Sequence, residues 1–90
     1  MEINWDKETA EQNFQTYGVR FSDAVTIFYD AKTLELGETL IDGGRQYVAM
    51  GLDQLFRITV MTYNFYEDQV KITAARLATP TEKKVYESRI

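Results

Sequence analysis

Arg76, Glu82, Lys83, Lys84 and Tyr86 fall within eleven positions of the segment KITAARLATPTEKKVYESRI, residues 71–90. A guanidinium at the end of a strand, beside a carboxylate and a phenol one turn apart on a following helix, can hold a phosphate and help to move a proton. Arginine suits phosphate because its planar fork donates two parallel hydrogen bonds. The same residues also have a structural reading. Thr79-Pro80-Thr81-Glu82 is a capping box with proline at the first helical position. In that reading Glu82 closes the box and Arg76 pairs with it to pin the helix to the sheet, the commoner role for such ion pairs. Residue types alone leave both open.

Other candidates are similarly two-sided. Lys83 and Lys84 can steer a polyanion or simply solvate a helix face. Tyr47, Tyr63, Phe65 and Tyr66 can stack bases on an open sheet or fill a core. Arg57 and Lys71, on polar faces of adjacent strands, would favour a phosphate groove. Gly43-Gly44 lacks the lysine and following helix of a phosphate-binding loop and reads as a turn. There is no cysteine and no histidine. Thiolate zinc sites and the usual proton shuttle near neutral pH are thereby excluded. The acidic residues have no metal-loop spacing, so no metal or cofactor is expected.

These residues need a scaffold, and ninety residues make one domain, 1–90. Asp6 is placed to cap a first helix carrying Ala10, Phe14 and Tyr17 on one face, and Gly18 to stop it. Ser22 is placed to cap a second, shorter helix. From residue 33 the period changes to two. TLELG and RQYVAMG read as strands joined through Asp42-Gly43-Gly44. LFRITVMTYNFY alternates Phe56, Ile58 and Val60 with Arg57, Thr59, Met61 and Tyr63. In QVKITAAR, period two puts Arg76 in step with Val70, Ile72 and Ala74. The expected fold is α+β: a short N-terminal strand, two helices, a four-stranded antiparallel meander and a C-terminal helix, with the helices on one face.

Net charge is −4, with nine acidic against three basic side chains in residues 1–42 and seven basic against five acidic in 43–90. An acidic chain gains no general attraction to nucleic acid, although its C-terminal end can hold a phosphate. No apolar run approaches a membrane span, and MEINWDKETAEQ is too polar for a signal peptide, so a cytoplasmic location without membrane contact is expected.

From end to end the chain resembles the BrnT toxins. Their opening pattern reads here as Trp5-Asp6, Asn13, Tyr17-Gly18-Val19, Phe21, Ala24, Phe28 and Asp30. Their later pattern reads as Tyr63, Ile72 to Arg76, Ala78-Thr79, Glu82 and Tyr86. The resemblance implies a RelE-like fold and a type II toxin acting as a metal-independent endoribonuclease that blocks translation. It implies a BrnA-like antitoxin whose ribbon-helix-helix segment binds DNA, in a toxin–antitoxin heterotetramer, so that DNA is met only through the antitoxin. Carried over by position, Arg76, Glu82 and Tyr86 would be catalytic. Arg45, Arg57, Lys71, Lys83, Lys84 and Tyr63 would contact RNA. Tyr17 stands where the family has histidine, Thr16 where it has lysine, and Gln46 and Leu77 where arginines are common. The alternative is a BrnT-like protein with weak or no catalysis, serving as an antitoxin-binding, autoregulatory partner.

Overall fold

The computed structural model describes residues 1–88. Its elements are β1 (Glu2–Trp5), α1 (Lys7–Tyr17), α2 (Phe21–Ala24) running into a 3-10 turn (Val25–Tyr29), β2 (Leu34–Ile41), β3 (Gly44–Leu52), β4 (Ile58–Tyr66), β5 (Gln69–Leu77) and α3 (Pro80–Glu87). The strands lie in the order β1-β5-β4-β3-β2. The antiparallel run β2 to β5 is present, but β1 adds to it in parallel with β5, giving a mixed sheet of five strands. Ile3 and Trp5 stand opposite Val70 and Ile72, so the short strand extends the apolar row of β5.

Helices cover both faces of this sheet, not one. Thr59, Val60 and Met61 are consecutive and all buried, which a strand with one wet face would not allow. Ala49, Met61, Ile72 and Ala75 meet Val19, Phe21, Ala24 and Ile27 from the N-terminal helices. On the opposite face Met50 and Val60 meet Ala78 and Tyr86, the latter from α3. The second layer is only one short helix, so much of that face stays open.

Local chemistry sets the ends of the elements. The Asp6 carboxylate accepts from Thr9 N–H, and Gly18 takes φ 71° to end α1. Ser22 does not cap α2: Arg20, extended and without a side-chain bond, occupies the cap position. β4 and β5 are joined by Glu67 and Asp68 at φ 42° and 71°, positive φ at both central residues as a type I′ hairpin requires. Phe56 lies outside β4, in the connection before it, at φ 61°.

A bulge in β5 changes which way its last residues face. Thr62 pairs with Ala74 while Tyr63 pairs with Ile72, so Thr73 is an extra residue. One inserted residue reverses the inside–outside phase of everything after it. Ala75 therefore takes the buried place on the N-terminal helix side, and Arg76, opposite Val60, turns to the α3 side. The strict alternation that set Arg76 in the row of Val70 and Ile72 fails here.

Both flanks of the sheet are completed by side chains. β1 ends at Trp5 opposite Ile72, leaving the outer edge of β5 unpaired beyond that point. Asn13 from α1 fills it: its Nδ2 donates to Ala75 C=O (2.8 Å) and Val19 C=O (3.0 Å), and its Oδ1 accepts from Ala75 N–H (3.1 Å). The apolar stripe expected on α1 is thus not its deepest feature. Asn13 is buried, whereas Tyr17 is 52% exposed. On the other flank Asp30 Oδ2 accepts from Leu52 N–H (2.9 Å), where β2 no longer pairs with β3. Replacing Asn13 by Ala orphans a buried N–H and C=O together. We expect about 2–3 kcal/mol of lost stability in urea unfolding; a change under about 0.5 kcal/mol would contradict this role.

Candidate active site

A groove on the α3 side of the sheet brings together Tyr17, Val48, Val60, Thr62, Ala74 and Arg76. The bulge turns Arg76 onto this face, and Gly18 ends α1 with Tyr17 beside Ala74 and Arg76 of β5. The groove floor is apolar apart from Thr62, so charge at its lip acts with little competition from other polar groups.

Arg76 and Glu82 form the pair foreseen in the sequence. Nη1 donates to Glu82 Oε1 (2.8 Å) and Nη2 to Oε2 (3.0 Å), with a further bond from Nη1 to Leu77 C=O (3.3 Å). Glu82 also closes the capping box, accepting from Thr79 N–H at 2.8 Å. A guanidinium has five N–H donors. Among the described residues, Arg76 Nε–H and the second Nη2–H have no partner. Those two hydrogens form the other bidentate edge of the fork. Arg76 is therefore oriented by Glu82 along one edge and available to an anion along the other.

The expected trio does not converge. Tyr86, one turn beyond Glu82, is buried against Met50 and Val60, and its hydroxyl donates to Asp30 Oδ2 at 2.5 Å. Burial, then the bond to Asp30, pushes the Tyr86 phenol up to about 12. Burial alone would raise Asp30 as well, but bonds from Tyr86, Lys32 N–H and Leu52 N–H outweigh it and hold the carboxylate low. The Arg76 hydrogen bonds, followed by that from Thr79 N–H, depress Glu82 to about 2. Near neutral pH Glu82 is a weakly basic anion and Tyr86 a neutral phenol locked in a core contact, and neither value suits proton transfer at that pH.

The depressed pKa of Glu82 ties stability to pH. A depressed folded pKa means that the folded state resists protonation, so its stabilisation is present above the ordinary 4.5 and is lost as pH falls toward about 2. With the carboxylate side chain 24% exposed, solvent screening reduces the effect to about 1–2 kcal/mol. Glu82→Gln should lower stability by that amount at neutral pH and flatten the fall in melting temperature between pH 4.5 and 2. Parallel acid limbs for the two proteins would contradict it.

The other expected RNA contacts are dispersed. Lys71 is exposed on the α3 side, the face of Arg76, with Asn4 and Asn64 as its strand neighbours. Lys83 and Lys84 lie exposed on α3. Tyr63 and Arg45 face the other way. Tyr63 stacks on Tyr47 (centroids 5.4 Å apart) and meets Phe28 edge-on in the N-terminal helix layer. Arg45 pairs with Glu38 across the β2–β3 hairpin. Arg57 is committed to Asp53, whose carboxylate it meets through Nε and Nη2 at 2.8 Å. Tyr63 and Arg45 thus lie on the face opposite the groove, and Arg57 anchors a loop.

Tyr17 is the groove residue that sequence reasoning set aside, treating it as the loss of a histidine. Its position just before Gly18, at a helix end and hence at a boundary of the fold, was the available signal. Asp30 was visible in the family pattern, but nothing in the chain announced that it would meet Tyr86.

The site is thus a carboxylate-held arginine beside the open half of a mixed α+β sheet that a C-terminal helix only partly covers. The family model "Ribonuclease toxin, BrnT, of type II toxin-antitoxin system" matches residues 5–82. The chain belongs to the BrnT family, and membership implies an antitoxin partner. Comparison with curated protein sequences finds no match. Among solved structures, the fold is similar to the crystal structure of the Brucella abortus ribonuclease toxin BrnT, with a TM-score of 0.69 and 19% identity over 88% of this chain and 97% of that one.

Proposed function

We propose that this chain is a RelE-like endoribonuclease that cuts cellular RNA and so blocks translation. The observation that carries this reading is the free Nε–Nη2 edge of Arg76 in a groove shared with Tyr17. The scissile phosphate sits at that edge. The ribose 2′-hydroxyl gives its proton to solvent as its oxygen bonds to phosphorus, the bond to the 5′-oxygen breaks, and that oxygen leaves as a hydroxyl with a proton taken from solvent. Arg76 balances the charge building on the non-bridging oxygens. Glu82 is a positioning residue that fixes the guanidinium, and Tyr86 fixes α3 through Asp30. Tyr17, exposed at the lip, supplies the phenol that can hydrogen-bond the reacting oxygens. No step calls on a metal or cofactor.

In the cell the partner is a BrnA-like antitoxin with a ribbon-helix-helix segment, in a heterotetramer that reaches DNA through that segment, in the cytoplasm. Among the described residues no helix is long and apolar enough to cross a membrane. The second reading, a catalytically weakened antitoxin-binding partner, is favoured by one observation: Glu82 and Tyr86 are both committed to structural bonds. Incubating the purified chain with single-stranded RNA in the presence of a chelator separates the two. Cleavage ending in cyclic phosphates is expected; intact RNA together with normal growth on inducing the chain alone would favour the second reading.

A further inference from the structure

The open face continues past the groove into a row of polar side chains that crosses the whole sheet. The strand register sets Asn4 beside Lys71, Lys71 beside Asn64, Asn64 beside Gln46, and Gln46 beside Thr39. Paired residues in a sheet share a face, and this one is the face of Thr62, Val60 and Arg76. The row lies about 13 Å from the Arg76–Val60 pair at ~3.3 Å per strand residue. Asn64 interrupts MTYNFY, otherwise rich in strand formers, although asparagine is depleted in strands. Its Oδ1 accepts from Gln46 Nε2 at 3.1 Å. That bond orders the two amides and leaves Asn64 Nδ2 as a donor and Gln46 Oε1 as an acceptor. Among the described residues neither has another partner.

We propose that this row is a nucleotide subsite: with the scissile phosphate at Arg76, a flanking nucleotide lies across it, its base edge read by the Asn64–Gln46 pair and its phosphate met by Lys71. Carboxamide donors and acceptors are groups that read base edges, and unpaired RNA exposes such edges. Lys71 supplies the cation for the backbone. Protein interfaces by contrast are enriched in aromatics and depleted in lysine, and the row has no aromatic. The inference rests on the reading of the chain as an RNA-cutting protein.

The test is binding of labelled single-stranded oligo(A), oligo(C), oligo(G) and oligo(U) by anisotropy at several salt concentrations, with cleavage of mixed-sequence RNA mapped in parallel. The parent should prefer one base by at least about fivefold. The Asn64→Ala/Gln46→Ala double variant, folded by circular dichroism, should lose that preference. Asn64→Asp, which replaces the donor by an acceptor, should change it. Lys71→Gln should weaken all four about equally and lower the salt slope by about one. Equal binding of the four by the parent, or a preference unchanged in the double variant, overturns the subsite. A preference lost in the double variant while no RNA is ever cut keeps the subsite and defeats the nuclease reading. Cutting by the parent with base preference indifferent to these residues does the reverse.

Discussion

Arg76→Ala should leave a folded protein that cleaves RNA about 10²- to 10³-fold more slowly than the parent, the range expected when a preorganised charge donor is removed from a developing anion. The expectation follows from how the guanidinium is held. Its bonds to both Glu82 oxygens and to Leu77 C=O fix the plane, so the free Nε–Nη2 edge is set before substrate arrives. Folding should survive because Glu82 keeps its bond from Thr79 N–H and Arg76 is 42% exposed, conditions under which an ion pair contributes about 1 kcal/mol or less. Arg76→Lys should recover only a small part of the loss, since an ammonium supplies charge without a fork. Glu82→Gln keeps the helix cap but loosens the guanidinium, so a smaller deficit of about tenfold is expected, in the range a positioning effect supplies. Initial rates on one RNA, with thermal unfolding of each variant, decide this. Parental rates in a folded Arg76→Ala protein would remove Arg76 from the site.

The C-terminal helix and the antiparallel strands were legible because they depend on local patterning. The capping box at Thr79–Glu82 specifies α3 by side-chain chemistry within four residues, and the Arg76–Glu82 contact followed from it. The run of four antiparallel strands was legible from β-branched alternation and turn residues. The short N-terminal strand was legible as an element, but its place in the sheet was not, because Glu2–Trp5 pairs with residues near the far end of the chain, and short parallel strands carry no hairpin signal. Nor was the face that Arg76 occupies. A single inserted residue at Thr73 decides it, and QVKITAAR alternates plausibly in either phase. The same gap hid the site's composition: which tyrosine enters the groove depends on where α1 ends relative to the edge of β5. Tyr86 and Tyr17 are equally tyrosine in sequence. One is packed against Asp30 and the other stands at the lip.

Side chains that stand in for missing strands explain how a sheet this small keeps one face open. Asn13 completes β5 from the N-terminal layer, and Asp30 completes β3 while receiving Tyr86 from α3. Backbone groups that a longer β1 or β2 would satisfy are met without adding cover to the groove. The helices are therefore tied to the sheet's flanks, and the surface between Arg76 and Lys71 is left to solvent or ligand.

Asp53→Ala should be the most destabilising of the substitutions considered, by about 3–5 kcal/mol, the cost of breaking a buried pair by removing one partner. Asp53 is 2% exposed. Its Oδ1 accepts from Leu55 N–H and Arg57 N–H, both at 2.9 Å, and its Oδ2 meets Arg57 Nε at 2.8 Å. Through this carboxylate the connection before β4 is closed on itself and, by Arg57 Nη1 to Gly18 C=O (3.4 Å), tied to the end of α1. The closed loop holds Phe56 at φ 61° and 84% exposed, an unfavourable backbone region for a bulky residue. Without the carboxylate, two backbone donors lose their acceptor and nothing enforces that conformation. Small domains have only about 5–15 kcal/mol in total, so the urea midpoint should fall by about a fifth or more. Arg57→Ala should act on the same property: stability falls, because the buried carboxylate loses its counter-charge, while RNA affinity per folded molecule stays near parental. A midpoint for Asp53→Ala indistinguishable from the parent, or an Arg57→Ala protein that keeps its stability and loses RNA affinity, would return Arg57 from the scaffold to the binding surface.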